Sequence, residues 1–336
     1  MENQFSGKNK QKICVVIPAF RVEKEIQAVI SSIPAWVDGI IVVNDASPDS
    51  TQAVVESISD PRLHLVNHVK NQGVGGAMLT GYQTALQQGY DVIVKVDGDG
   101  QMDTAFLPLL IEPILNGQAE YTKGNRFLHP IALLKMPFMR RLGNLALTFM
   151  TKLASGYWNI FDPTNGYTAI CADKLQALDP KKISKNYFFE SSMLCELRNI
   201  NAVVMDIAIP AVYQNENSSV NIPREFFIFL ANLTSRCATR IFNRYFLYDF
   251  NAGSSYFVAG SILGLFGGIW GIVKWVQSAE KGVTASTGTV LIAVLPIILG
   301  IQFLIQAVAL DIADVPTKVQ KTKLRSDQDN LWTQPH

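Results

Sequence analysis

Two long stretches near the C-terminus constrain this chain more than anything else in it. From Ser254 to Val276 it runs SSYFVAGSILGLFGGIWGIVKWV, with Lys274 its one charge, and a second uncharged run extends from Gly288 to Leu310. Each is long enough to cross a hydrocarbon core, which takes roughly 20 helical residues at about 1.5 Å each. The alternative is a pair of helices buried in a soluble core, which the length and adjacency of the runs disfavour. Arg224, Arg236, Arg240 and Arg244 precede the first run and Lys318, Lys321, Lys323 and Arg325 follow the second, while the connection from Gln277 to Thr287 holds Lys281 balanced by Glu280. Positive flanks stay on the cytoplasmic side, so both termini are expected there, with the short loop outside.

Gly260, Gly264 and Gly268 recur at four-residue spacing in the first run. Such a stripe lets another helix approach closely. The partner is either the second run or another subunit, and a homo-oligomer is the expectation. Before the spans, Pro223 to Tyr248 carries Phe226, Leu230, Leu233, Cys237 and Ile241 at helical spacing beside a stripe of Arg236, Arg240 and Arg244. An amphipathic helix at a membrane surface would set its rings among acyl chains and its guanidinium groups among lipid phosphates. The same pattern also suits a helix packed on a soluble domain.

Composition excludes some functions. The 336 residues carry a formal charge of +1, too little for a nucleic-acid surface. Cys14, Cys171, Cys195 and Cys237 are scattered without a CxxC pair, and the polar start lacks a secretory signal, which together predict reduced thiols facing the cytosol. His64, His68, His129 and His336 lack metal-ligand spacing and are expected to be surface or structural.

The first two-thirds alternate strand-like and helix-like segments. Lys12–Ile17, Gly39–Asn44, Leu63–Asn67 and Asp91–Val96 are rich in β-branched residues, and helical segments over about Glu23–Ser32, Ser50–Ser57 and Val74–Gln88 separate them. Alternation with nearly all-apolar strands predicts an α/β fold with a parallel sheet covered on both faces. Ligands of such sheets bind beyond the carboxyl ends of the strands. Four polar segments fall there: Pro18 to Glu23, Asp45 to Asp49, Asn71 to Gly76, and the acidic turn Asp97-Gly-Asp-Gly-Gln-Met-Asp103. The glycine-rich piece is not a dinucleotide fingerprint, because Met78 stands at the third glycine and the segment follows the third strand.

Ile17-Pro-Ala-Phe, Val43-Asn-Asp-Ala-Ser-Pro-Asp-Ser-Thr51, the Asn71 to Ala77 glycine segment and Asp97-Gly-Asp-Gly-Gln101 together resemble family 2 glycosyltransferases of the GT-A fold. Gly124-Asn-Arg-Phe127, Asp162-Pro-Thr-Asn-Gly-Tyr167, Phe188-Phe-Glu190 and the two spans are similar to the branch acting on polyprenyl phosphates. The resemblance covers about Ile13 to Leu310. It implies a Rossmann-like, mostly parallel GT-A catalytic domain over 1–222, a juxtamembrane amphipathic segment over 223–250, two transmembrane helices over 251–312 and a cytoplasmic tail over 313–336. The implied reaction transfers a hexose with inversion from a UDP- or GDP-sugar, UDP favoured, to a polyprenyl phosphate at the cytoplasmic membrane. Alternatives are a membrane-docked sugar-nucleotide scaffold without turnover, which the Asp97/Asp99 pair disfavours, and a processive polysaccharide synthase, which the missing Gln-x-x-Arg-Trp segment disfavours.

The resemblance also implies roles. Asp99 is the first choice as ligand of Mg²⁺ or Mn²⁺, with Asp97 on donor or metal and Gln101 lining the site; a hard cation would neutralise the departing diphosphate. Asp103 either lines the site or begins a helix. Pro18, Ala19, Glu23 and Asp45 would hold the nucleoside, with Asp45 accepting from ribose or base; alternatively Glu23 begins a helix. Phe20-Arg-Val-Glu23 replaces the family's usual Tyr-Asn-Glu-Glu, so base recognition is the weakest part of the transfer. Gly73, Gly75 and Gly76 would let backbone approach the donor. An acceptor phosphate is already anionic at neutral pH, which favours Asp162 as an orienting group over a base, and Arg126 would hold phosphate oxygens. Asn165-Gly-Tyr-Thr168 lacks the arginine that many relatives carry, and Lys123 or Arg140 is offered in its place. Glu190 is either a wall of the site or a buried partner for a cation, and Glu216 to Val220 suits a loop over it.

Overall fold

The computed structural model describes residues 11–126, 138–210, 222–319 and 332. They divide into two units, Met1–Leu233 with Pro316–His336, and Thr234–Val315.

The first unit is built on a seven-stranded sheet. Its strands are β1 (Ile13–Ala19), β2 (Gly39–Asn44), β3 (Leu63–Asn67), β4 (Val92–Lys95), β5 (Tyr121–Asn125), β6 (Thr168–Cys171) and β7 (Val204–Ala208), in the order β3-β2-β1-β4-β6-β5-β7. Strands β3, β2, β1 and β4 are mutually parallel and β5 pairs parallel with β7, while β6 runs antiparallel to both β4 and β5. The sheet is therefore mostly parallel rather than wholly so. The four strands foreseen in the sequence form the parallel half. β1 reaches two residues beyond its expected end, through Pro18, because its last pairs are still made with Val43 and Asn44.

Side chains of a strand alternate between faces. Ile13, Val15 and Ile17 join Val92, Val94, Ile40 and Val42 in one apolar cluster with helices α1 (Ile26–Ser32) and α4 (Leu107–Leu115). The opposite face carries Cys14, Val16, Ile41, Val43 and Ile93, also buried, beneath α3 (Val74–Gln87). A Cβ at Gly81 of α3 would stand 2.2 Å from Val16 Cγ1, so glycine sets how closely that helix packs. Between the strands lie α2 (Thr51–Glu56), α5 (Phe138–Ser155), α6 (Ala172–Ala177) and α7 (Phe189–Asn199). α1 starts later than the sequence pattern suggests, because Val22 to Glu25 form a turn closed by Glu25 N–H to the Val22 carbonyl at 3.1 Å.

Helix α8 (Ile222–Phe242) continues as a π-helical turn over Asn243–Tyr248, and the boundary between the units falls inside it. In the second unit α9 (Ala252–Lys281) and α10 (Thr287–Ala313) are long and apolar enough to cross a membrane. Asn251 caps α9 through a reciprocal capping box with Ser254, and Gly282 ends it in the left-handed conformation at φ 62°. The glycine stripe is the seam between these two helices. A Cβ on Gly260 would stand 2.9 Å from the Gly300 carbonyl, and one on Gly300 2.7 Å from the Gly264 amide. Gly267, against Ala293 and Ile297, continues the contact in place of Gly268, since a 3.6-residue turn drifts away from a strict four-residue stripe.

The basic stripe corrects an expectation. Arg240 is buried, and its fork reaches Asp311 at 2.7 and 3.0 Å; the Tyr245 hydroxyl donates to the same carboxylate at 2.7 Å. Arg244 donates through Nε to Asp314 at 2.6 Å. These two guanidinium groups hold carboxylates of the chain itself where lipid phosphates were expected.

Candidate active site

The carboxyl ends of the parallel strands form the expected rim, yet its carboxylates are used differently. At the end of β2, Asp45 is 2 % exposed. Its oxygens accept from the backbone amides of Gln72 and Gly73, each at 2.8 Å, and bond His68 Nδ1 at 2.7 Å. His68 Nε2 in turn meets the Thr80 hydroxyl at 2.9 Å. Asp45 thus organises the 71–73 segment. Gly73 itself has φ +83°, and a Cβ there would stand 2.5 Å from the Lys185 carbonyl; one on Gly75 would stand 2.1 Å from that of Ser184. Close approach at Gly73 and Gly75 is made by the chain's own 184–185 backbone, and the Gly76 amide donates to the Lys185 carbonyl at 3.1 Å.

At the end of β1, Pro18 is half-buried, Ala19 buried and Phe20 exposed. Glu23 accepts from the Ser50 amide at 2.8 Å, so it closes the start of α2, a helix other than the one foreseen. Asp49 works beside it. Burial opposes its charge, but hydrogen bonds from Ser47, from the Thr51 side chain and amide and from the Glu23 amide prevail, holding it down at about 2. A cleft of about 480 Å³ opens here, lined by Arg21, Glu23, Lys24, Glu25, Pro48 and Asp49.

The β4 turn keeps carboxylates at the surface. Asp97 and Asp99 are both part-exposed, and Asp99 Oδ1 accepts from the Gln101 amide at 3.0 Å. Asp103 accepts from the Ala105 amide at 2.9 Å and caps a short 3₁₀ turn, the second of its two expected roles. Asp97 Oδ1 lies 2.5 Å from Lys95 Nζ, which also meets Glu190 Oε1 of α7 at 3.2 Å. Glu190 is therefore a buried cation's partner, one of the two roles left open for it. Among the described residues no three His, Cys, Asp or Glu side chains are grouped closely enough to hold a metal ion by themselves. The donor set of the turn is a pair of carboxylates, and Mg²⁺-like ions are commonly held by one or two carboxylates with substrate phosphates and water. Asp97 and Asp99 fit a cation that arrives with a diphosphate.

On the antiparallel side, Asp162 is fully buried and bonded through both oxygens to Arg126, Nε at 2.8 Å and Nη2 at 3.1 Å. The Arg126 side chain remains 39 % exposed. This fork suits a carboxylate that aims a guanidinium better than one that takes a proton. Lys123 does not replace the missing arginine. It is fully buried, its amine donates to the Asn165 carbonyl, and burial pushes it down to about 8 against the pull of nearby Glu190, Asp162 and Asp206. Burial likewise lifts the Asp206 carboxyl to about 6. The side chain of Arg140 and the Glu216 to Val220 loop lie outside the described residues.

Lys95 escaped the sequence analysis. Its signal was a lysine in an otherwise apolar strand, two residues before Asp97. Register adds that Thr168 of β6 pairs with Lys95 on one side and Lys123 on the other, and Lys123 with Asp206. Directly paired residues share a face, so a row of charged and polar groups crosses the sheet beneath the rim.

A mostly parallel sheet of this topology, with an acidic turn after β4, defines a GT-A-like fold. Residues 14–178 match the family described as Glycosyl transferase family 2, and the chain belongs to it. It is 30% identical over 216 residues to UDP-N-acetylglucosamine–dolichyl-phosphate N-acetylglucosaminyltransferase of Methanococcus voltae, covering 60% of this chain and 86% of that one. It is 32% identical over 176 residues to undecaprenyl-phosphate mannosyltransferase of Micrococcus luteus, covering 52% and 71%. In fold it resembles glucosyl-3-phosphoglycerate synthase of Mycobacterium tuberculosis, solved with Mn²⁺, UDP and glucosyl-3-phosphoglycerate, with TM-score 0.51, 21% identity and coverage of 68% and 80%.

Proposed function

We propose that this glycosyltransferase moves a sugar, with inversion, from a nucleoside-diphosphate donor, UDP favoured, to a polyprenyl phosphate at the cytoplasmic face of a membrane. The observation that carries the reading is the union of a family 2 domain, similar to two lipid-phosphate glycosyltransferases, with two helices able to span a bilayer. Residues 1–222 would do the chemistry, 223–250 lie at the surface, 251–312 anchor the chain and 313–336 return to the cytoplasm.

Each side of the site has a task. Asp97 and Asp99 would hold Mg²⁺ or Mn²⁺, which when bound neutralises charge on the departing diphosphate. Gln101 and the cleft beside Pro18 and Glu23 would receive the donor. Arg126, aimed by Asp162, would bind the acceptor phosphate through its exposed edge and place an oxygen for in-line attack on the anomeric carbon. That phosphate is dianionic above about pH 6, so no group need remove a proton from it first.

Purified full-length protein, a divalent cation, labelled UDP- and GDP-sugars and polyprenyl phosphate should together yield organic-extractable label. Donor binding with no lipid-linked product from any sugar would reject the reading.

A further inference from the structure

Lys95 is 1 % exposed, at the last position of β4. Burying an ammonium is unfavourable unless paired and hydrogen-bonded charges offset it. Here two carboxylates do so, and they differ. Glu190 comes from α7 and is 12 % exposed, whereas Asp97 belongs to the rim and is 29 % exposed. The short contact to Asp97 thus fastens the first residues of the acidic turn to the sheet.

Gly166 bears on the same pair. A Cβ at that position would stand 2.3 Å from Lys95 Nζ and 2.7 Å from Asp97 Oδ2. Gly166, within the segment from Asp162 to Tyr167, therefore lies directly on the ion pair. One end of that segment holds Arg126 through Asp162, and its Asn165 carbonyl accepts from Lys123. With Oδ1 on Lys95 and Oδ2 against Gly166, the Asp97 carboxylate has one orientation.

We propose that Lys95 is a positioning residue, whose buried ammonium, bridged to Glu190 and covered by Gly166, fixes the Asp97 carboxylate for the donor–cation complex. The proposal rests on Asp97 serving that complex, as argued above. Groups that orient a metal-binding carboxylate typically alter affinity or activity by about 10–100-fold when removed. A lysine that merely filled a core would change stability and leave the cation affinity of the folded protein alone.

Mn²⁺ binding to full-length protein in nanodiscs, with UDP present, is read by electron paramagnetic resonance, beside kcat and the KM for lipid. Lys95→Met is expected to weaken Mn²⁺ binding by about tenfold or more and lower kcat, with the lipid KM unchanged. In an Asp97→Asn background, Lys95→Met should add little, because its effect passes through Asp97. Folded Lys95→Met protein with Mn²⁺ affinity within about twofold of the parent would overturn the proposal. Should Lys95→Met not fold, Glu190→Gln decides, since it keeps the lysine and removes one anchor: weaker Mn²⁺ binding supports the role, unchanged binding sinks it. A parent protein that binds no Mn²⁺ with UDP sinks it too. Normal Mn²⁺–UDP binding without lipid-linked product rejects the proposed reaction and leaves the Lys95 comparison standing.

Discussion

The ends of β2 and β4 carry aspartates of similar promise in different surroundings. Asp45 is buried, and its oxygens accept from the Gln72 and Gly73 amides and bond His68. Asp97 and Asp99 sit part-exposed on a turn, with one oxygen of Asp97 held by Lys95. Position at a strand's carboxyl end brings a group to the rim. Whether it can serve a ligand depends on how many of its lone pairs the protein has already used. The same accounting separates Glu23, which closes α2, from the β4 turn.

The sharpest break between the two ends is expected from neutralising them in turn. Asp99→Asn should lower kcat by about 10²–10³-fold, as for loss of a charge-stabilising group, while leaving thermal stability unchanged. Near-parental turnover would remove Asp99 from the site. Asp45→Asn should do the reverse, costing about 1–3 kcal/mol in denaturant unfolding through its buried hydrogen bonds, with donor KM little changed. A large rise in donor KM at parental stability would place Asp45 in nucleoside binding. Gly75→Ala tests the backbone approach on the β2 side. Its Cβ would press on the Ser184 carbonyl, so a loss of about 1–3 kcal/mol is expected, and a neutral result would show that the 184–185 segment yields.

The smallest effect concerns acid. Asp49 is held at about 2, below its ordinary 3.8. A carboxyl depressed by folding adds stability that is complete above the ordinary value and disappears as pH falls through the lower one. Asp49→Asn should therefore lose that stability at neutral pH and flatten the profile below about pH 4, measured by thermal melts.

Much of the fold was legible in one dimension. Strands β2 and β3 fall on the bounds their composition suggests, because β-branched runs between turn residues are a local signal. β5, β6 and β7 were not foreseen. Lys123 and Gly124 interrupt the apolar pattern of β5, and β6 is only four residues long. For the site, the Asp97–Asp99 turn is visible within a few residues, but nothing local marks the role of Lys95, because its second contact, Glu190, comes from another helix. Arg240 looked like a lipid-facing cation until Asp311, 71 residues away, took its guanidinium.

Sequence by itself determined the features that depend on neighbouring residues: two nearly uncharged stretches of spanning length, a strand–helix alternation and an acidic turn after a buried strand. Tertiary structure alone decided which charges remain for chemistry. Asp45 meets the Gly73 amide 28 residues on, Arg126 meets Asp162 after 36, and Lys95 meets a carboxylate from another helix. A carboxylate's availability is set by donors that only the folded chain brings within hydrogen-bond distance, and no local pattern records where those donors will be.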